Sequence, residues 1–509
     1  MSERSQLKAG AVLSYIAIAL QLVVAIIYTP VMLRLLGQAE YGLYSFVASI
    51  LAYLSLLSFG FGGAYMRFYA RFRVFEDHDG IKRLNGLFIT LFTVVGLVAS
   101  VAGGLLSLNS ESVLGDEFTG TQTDTARILF GILAVNLAIT FPTSVFNNYI
   151  IAHERFIFQK SLQIIRTLIQ PLVILPILLL GYESIGMAIG STAVNLAFSI
   201  YTVAYCRFKL RMQFVLRKLD LGLFREVSVF SGYIFINMVV DQVNWNVGQF
   251  LVGRFHGPES VAVFSLAALI NTQYLAFSAA ISSVFIPRVN HLVASKTPDS
   301  VISSLFTRVG RIQFIVMGLV LSAFIIFGKA FIRLWAGLDY GESYYVGLLL
   351  LIPVTVPLVQ NLGIEIQKAK NLHQFRSWVY LGVAVINIAL SIPLTQQYGA
   401  IGAAMGTAVA LIIGNGILIN WHYQARVGLD IKYFWGEILK LSLGMIPALG
   451  LGIIVMNVAN PMSIPALVGF GLLHVLVYFV GMWCLSMNAQ ERNLIATPIR
   501  RRLKRLRQE

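Results

Sequence analysis

Few side chains in this sequence can do ionic or acid–base chemistry, and their scarcity makes each one informative. Charged residues are 12% of 509, where a soluble domain carries about 25%. Inside the long apolar stretches only two carboxylates occur, Asp241 and Glu365. Asn237, Asp241, Asn244 and Gly248 recur at intervals of four, three and four and so share one helical face, with Gln242, Asn246 and Gln249 as a second polar strip beside it. An ionised group at bilayer depth costs about 2.5–3.5 kcal/mol or more unless it pairs or lines a wet cavity. This stretch is therefore expected to border an aqueous cavity; a buried hydrogen-bond network is the other reading. Asp241 and Glu365 are also the groups through which a proton or sodium gradient would couple. Glu365, with Gln360, Asn361 and Gln367 nearby, reads equally as an interfacial residue.

The basic candidates divide by position. Arg166 follows Gln163 and precedes Gln170 and Pro171, again at helical spacing. Its guanidinium fork suits an anion such as phosphate, although a long basic side chain can instead snorkel to the headgroups. Arg67 and Arg71, four apart, and Arg288 form a candidate anion-loading group at the cytoplasmic side, or simply anchor their helices there. Arg34 and Arg254 fall at the opposite side, where basic residues are disfavoured, and join Asn237, Asp241, Asn244 and Arg166 as cavity candidates. Glu76-Asp77-His78-Asp79 superficially offers a metal-binding acidic pair but reads as a solvated loop. No phosphate-cradling glycine loop ending in Lys and Ser or Thr is present, so no ATP hydrolysis is expected. No catalytic set, metal site or cofactor is expected either; the chain reads as a non-enzyme.

The elements that position these groups are long apolar helices. Hydrophobic residues make up 57% of the chain and come in blocks of about 20, enough to cross 30 Å of hydrocarbon. The expected spans are 11–33, 41–64, 86–107, 128–150, 162–181, 184–205, 228–252, 260–286, 312–332, 344–366, 378–395, 400–421, 441–458 and 464–486. An all-α integral membrane protein of about 14 transmembrane helices follows, with both termini on one side. If that side is cytoplasmic, all but five of the 38 Lys and Arg lie there, the exceptions being Arg34, Arg127, Arg254, Lys329 and Arg333. One missed or invented helix would invert every later loop and destroy this asymmetry, so the positive-inside rule supports count and orientation together. A multi-pass protein of the cell membrane, plasma or inner, is expected. The net charge of +15 then reflects topology rather than nucleic-acid binding, and the tail holding Arg500, Arg501, Arg502, Lys504, Arg505 and Arg507 is expected to lie on anionic membrane lipid. The two cysteines, Cys206 and Cys484, are expected as reduced thiols near the cytoplasmic face.

An internal repeat organises the spans. Gly37, Gly42, Tyr44, Ser45, Ala48 and Ile50 recur 220 residues later as Gly257, Ala262, Phe264, Ser265, Ala268 and Ile270. Ile185, Gly186, Ala188 and Gly190 recur 216 residues later as Ile401, Gly402, Ala404 and Gly406. A weaker match pairs Pro142 with Pro357 and Lys160-Ser161 with Arg376-Ser377. Two six-helix lobes in parallel repeat are expected, 1–215 and 216–430, followed by two appended helices in 431–490 and a basic tail, 491–509. The glycines spaced four apart read as close helix contacts.

This layout, together with Tyr28-Thr29-Pro30, Leu36-Gly37-Gln38-Ala39-Glu40-Tyr41-Gly42-Leu43-Tyr44, Gly257-Pro258-Glu259 and Ile286-Pro287-Arg288, resembles the polysaccharide-transport flippases of the multidrug, oligosaccharidyl-lipid and polysaccharide exporter superfamily. The resemblance covers the whole chain. It implies a V-shaped pair of lobes around a cavity that opens alternately to each face, and a polyprenyl-diphosphate-linked oligosaccharide turned from the cytoplasmic to the outer leaflet for polysaccharide (lipopolysaccharide or exopolysaccharide) biosynthesis. Glycosyltransferases and a polysaccharide polymerase would be partners. Two alternatives stay open: a cation-coupled multidrug exporter of the same superfamily, and a membrane glycosyltransferase or polymerase, against which the lack of a long outer loop with clustered catalytic groups argues.

Overall fold

The computed structural model describes residues 3–216, 220–372, 374–459 and 463–493; the basic tail from Arg500 to Arg507 lies outside them. Among the described residues, twelve helices are long and apolar enough to cross a membrane. Two of the twelve are double. The continuous stretch Leu221–Ala294 is 74 residues long, about 110 Å as a straight helix, far more than a bilayer requires. It turns back at Gly257, whose φ of 72° suits a residue without Cβ. The reversal is visible in Gln249, which donates to Ser265 Oγ at 3.0 Å although 16 residues separate them. Gly399, with φ 55°, reverses a second long stretch in the same way, and Thr407 there donates to Asn387 Oδ1 at 3.2 Å across 20 residues.

Fourteen passes result, as the sequence leads one to expect. They are α1 (Glu3–Leu36), α2 (Gln38–Val74), α3 (His78–Leu108), α4 (Gly120–Ala152), α5 (Phe156–Leu179), α6 (Glu183–Lys209), α7 (221–256), α8 (258–294), α9 (Asp299–Trp335), α10 (Leu338–Val359), α11 (374–398), α12 (400–427), α13 (Ile431–Val458) and α14 (Ile464–Ser486). A short helix, Asn361–Ala369, extends α10.

One span departs from its expected form. The sequence reads as an unbroken helix over 41–64, but α2 tightens into a 3₁₀ turn over Ser55–Ser58 and then passes through left-handed Phe59 (φ 50°) and Gly60 (φ 71°). Irregular backbone survives at membrane depth only when protein covers it. Here α7 does so: Phe59 stacks on Phe235 with centroids 4.2 Å apart, and Gln242 donates to Ser55 Oγ at 2.7 Å.

The helices gather into two compact units. The first comprises residues 1–265 with 391–403, and the second 266–390 with 404–509. The core of the first unit is aromatic, with Tyr65, Phe68, Tyr69, Phe88, Phe92, Phe141 and Tyr149 interlocked between α2, α3 and α4. In lipid, where apolar burial drives little association, such packing and small residues hold helices together. Gly42 is one such contact: a Cβ there would stand 1.8 Å from the Pro258 carbonyl oxygen. Gly42 and Pro258 thus bring the start of α2 and the start of α8 together within the first unit.

In the second unit, Phe306, Tyr423, Phe434 and Tyr478 form the corresponding interior. A buried ion cluster closes it. Arg311 on α9, 3% exposed, donates to Glu491 at 2.6 and 2.9 Å and to Glu437 at 2.7 Å, tying α9 to α13 and to the segment after α14. Sequence pattern did not reveal this cluster, because its members are far apart in the chain.

Candidate functional site

Three neighbouring helices of the first unit carry polar stripes onto one groove. On α4 the stripe is Asn136, Thr140, Thr143 and Asn147, at intervals of four, three and four. On α5 it is Gln159, Gln163 and Arg166, and on α6 it is Asn195, Ser199 and Thr202. Helical periodicity makes each set a single face. Thr140, Thr143, Asn147 and the residues of the α5 and α6 stripes line one cavity of about 310 Å³, completed by Ser144 and by apolar Ile150, Phe158, Leu162 and Phe198.

Glycines of the α6 opening bring the stripes together. Gly186 and Gly190 approach Ile177 of α5 so closely that an added Cβ would lie 2.6 and 2.8 Å from its side chain. With α5 and α6 antiparallel in this register, Arg166 faces Asn195. Arg166 Nη2 donates to Asn195 Oδ1 at 3.2 Å. Asn195 is 6% exposed, and its amide nitrogen donates to Asn136 Oδ1 at 3.0 Å and Thr140 Oγ1 at 2.9 Å. Asn136 in turn donates to Thr192 Oγ1 at 3.0 Å. The amide chain therefore presents oxygen to the guanidinium and is itself satisfied.

The guanidinium is not. Arg166 is an exposed residue within a transmembrane helix, and among the described residues no carboxylate lies within ion-pair distance of it. Its one hydrogen bond to a neutral amide leaves most of its five donors available. A groove of hydroxyls, amides and two Phe rings around one unneutralised cation is chemically suited to an anion attached to a polyhydroxylated group.

The other candidates are dispersed. Asn237 and Asp241 are exposed on α7, whereas Asn244 is buried with Oδ1 unpartnered. The second α7 strip has a packing role: Gln242 bonds Ser55 and Asn246, and Gln249 bonds Ser265. Glu365 pairs with Lys368 at 2.9 Å. Arg71 pairs with Glu226 at 2.8 Å, Arg67 stands 4.3 Å over the Phe230 ring, and Arg288 is exposed in the second unit. Arg34 is exposed at the end of α1. Arg254 is exposed too, and its guanidinium fills the space beside Gly115, 1.8 Å from where a Cβ would stand. In the acidic loop Asp77 accepts from Gly80 N at 2.7 Å and so caps α3, while Asp79 pairs with Lys82 at 2.9 Å. Cys206 is buried, Cys484 is exposed, and both are free.

Asn136, Thr140 and Asn195 were not singled out from the sequence. Their signal was present as polar residues at four-residue spacing within apolar blocks, but single amides and hydroxyls in membrane helices usually bond their own backbone, as Thr202 does here to Phe198.

Comparison with known proteins agrees with this architecture. The profile of a family described as polysaccharide biosynthesis protein matches residues 7–293, more than half of the chain. A putative O-antigen transporter of Shigella flexneri is 20% identical over 403 residues, 77% of this chain and 91% of the relative. Among solved structures, the lipid II flippase MurJ in an inward closed conformation superposes with a TM-score of 0.75 at 15% identity, covering 96% of this chain and 99% of that one. An inward-facing multidrug resistance MATE family transporter of the MOP superfamily gives 0.62 at 15% identity, covering 82% and 96%. These likenesses concern the fold. On the family match and the membrane-embedded helical architecture together, the chain is a multi-pass membrane protein that belongs to the polysaccharide biosynthesis protein family.

Proposed function

We propose that this protein is a flippase that carries a polyprenyl-diphosphate-linked oligosaccharide from the cytoplasmic to the outer leaflet by alternating access, for polysaccharide biosynthesis. The observation that carries the proposal is Arg166, a cation without a carboxylate partner in a groove of hydroxyls and amides. The diphosphate would take the free donors of the guanidinium, and sugar hydroxyls would exchange hydrogen bonds with Thr140, Asn147, Gln163 and Ser199. The O-antigen and lipid II names of its relatives support the same class of cargo. The basic-residue asymmetry supports cytoplasmic termini, and Asp241 on the exposed face of α7 is the group proposed to couple to a proton or sodium gradient.

The cation-coupled drug exporter shares this fold, but its substrates, often cationic, would meet an unneutralised Arg166 as a repulsive charge. Reconstitution into vesicles separates the readings. Flipping of a polyprenyl-diphosphate oligosaccharide without efflux of cationic dyes is the expected result. Dye efflux without lipid flipping would assign the chain to drug export.

A further inference from the structure

The groove around Arg166 has two chemically different ends. Arg166 lies midway along α5, whereas Phe158 opens that helix beside the α4–α5 turn. A separation of eight residues is about 12 Å of helix, so no single group on a ligand touches both. Phe158 is half-buried and lines the cavity. Its ring stacks on Tyr205 with centroids 3.6 Å apart and planes at 12°, and on Tyr201 at 5.8 Å and 24°. Both tyrosines come from one face of α6, four residues apart, and together they fix the plane of the Phe158 ring.

Polar side chains with nothing to bond gather in the same cavity. Thr143, Ser144 and Thr202 are satisfied by their own helices, donating to the carbonyls of Ile139, Phe141 and Phe198 at 2.7, 2.6 and 2.8 Å. Asn147, Gln159 and Ser199 are not: among the described residues their side chains make no hydrogen bond, although Ser199 is only 6% exposed. Unbonded amides and hydroxyls are costly inside a membrane protein unless a polar ligand or water meets them. An aromatic ring of fixed plane, edged by amides and a hydroxyl, is the combination that receives a pyranose. The apolar C–H face of the sugar lies on the negative π face of the ring, and its hydroxyls reach outward to donors and acceptors.

We propose that Phe158, backed by Tyr201 and Tyr205 and edged by Asn147, Gln159 and Ser199, is a sugar subsite. The cargo then lies in the groove with its diphosphate at Arg166 and its oligosaccharide running toward the α4–α5 turn. The subsite rests on the reading of this groove as the site of a polyprenyl-diphosphate-linked oligosaccharide, and it fixes which way that cargo lies. The negative π face repels an anion, so the diphosphate does not take this end. The ring reads a pyranose face rather than one pattern of substituents.

The test compares the affinities of the full-length protein in nanodiscs for undecaprenyl diphosphate and for the same lipid carrying a diacetylchitobiose disaccharide. Wild type is expected to bind the glycosylated lipid about two- to tenfold more tightly, the range of one aromatic contact. Phe158→Leu should bring the ratio of the two affinities close to one, and Phe158→Tyr should keep it. A variant that merely loosens the groove weakens both lipids together and leaves the ratio, so the ratio separates stacking on sugar from packing. Gln159→Ala removes an amide without emptying the place of the ring; it should lower the ratio in part, and it carries the test if Phe158→Leu does not fold. Arg166→Ala should weaken both lipids and preserve the preference. Equal affinity of wild type for the two lipids, or an undiminished ratio in Phe158→Leu and Gln159→Ala, would overturn the sugar subsite and leave the diphosphate site at Arg166 standing. Binding of neither lipid by wild type would instead overturn the cargo assigned to the groove, and the subsite with it.

Discussion

Arg166 and Asn195 meet across the α5–α6 interface through a 3.2 Å hydrogen bond that aims a neutral oxygen, not a carboxylate, at the guanidinium. The pair therefore orients the cation without neutralising it. Arg166→Ala is expected to weaken binding of a diphosphate-bearing lipid by about ten- to a hundredfold, the equivalent of about 1.5–3 kcal/mol for a charge-assisted bond, with Arg166→Lys intermediate. Asn195→Asp is the sharper probe. It keeps size and shape but pairs the guanidinium, so binding should fall, while the lost amide donations to Asn136 and Thr140 offset the new ion pair in thermal stability. Unchanged lipid binding in Asn195→Asp would show that the free charge on Arg166 is not used.

Asp241→Asn removes the charge from the exposed face of α7 and preserves volume and much of the hydrogen bonding. Flipping in reconstituted vesicles is expected to lose its dependence on an imposed proton or sodium gradient, with expression intact. Full gradient-driven activity in the variant would exclude Asp241 from coupling.

Gly42→Ala places a Cβ against the Pro258 carbonyl oxygen, 1.8 Å from its present position, and the clash is with backbone rather than with a side chain that can turn away. A cost of about 1–3 kcal/mol is expected, seen as a lowered unfolding temperature in detergent. Gly131→Ala is the control, since nothing stands within 4 Å of a Cβ there; it should be neutral or slightly stabilising in a helix interior.

Arg311→Met would leave Glu437 and Glu491 without their shared guanidinium. Glu437 keeps Lys440 at 2.6 Å, but Glu491 is 4% exposed and would be a buried unpaired charge. Breaking such a cluster typically costs about 3–5 kcal/mol. Limited proteolysis should then cut first between α14 and the segment bearing Glu491; an unchanged cleavage pattern would mean the cluster does not hold that segment.

Topology is open to direct measurement. Reporter fusions after Gln508 and within 110–123 should give opposite sidedness, the first cytoplasmic, because basic residues fall so unevenly between the two sides of fourteen spans. The same sidedness for both fusions would require an odd change in the number of passes.

The membrane class and the number of passes were legible in the sequence, because each rests on a local or additive property. Twenty apolar residues span a bilayer wherever they occur, so the reversals at Gly257 and Gly399 fall between the expected spans 228–252 and 260–286 and between 378–395 and 400–421. Arg166 was legible for the same reason: a charge inside an apolar block is conspicuous by itself. Its surroundings were not. That Arg166 faces Asn195 rather than a carboxylate depends on the antiparallel register of α5 and α6, set by Gly186 and Gly190 against Ile177. The break in α2 at Phe59 and Gly60 is likewise stabilised by α7, more than 170 residues away in the chain, as the 187-residue separation of Ser55 and Gln242 illustrates. Likewise, only packing distinguished the two polar strips of α7, leaving Asp241 exposed while Gln242 and Gln249 were satisfied by neighbouring helices. Periodicity tells which residues share a face; what that face meets is decided by helices whose positions no local pattern encodes.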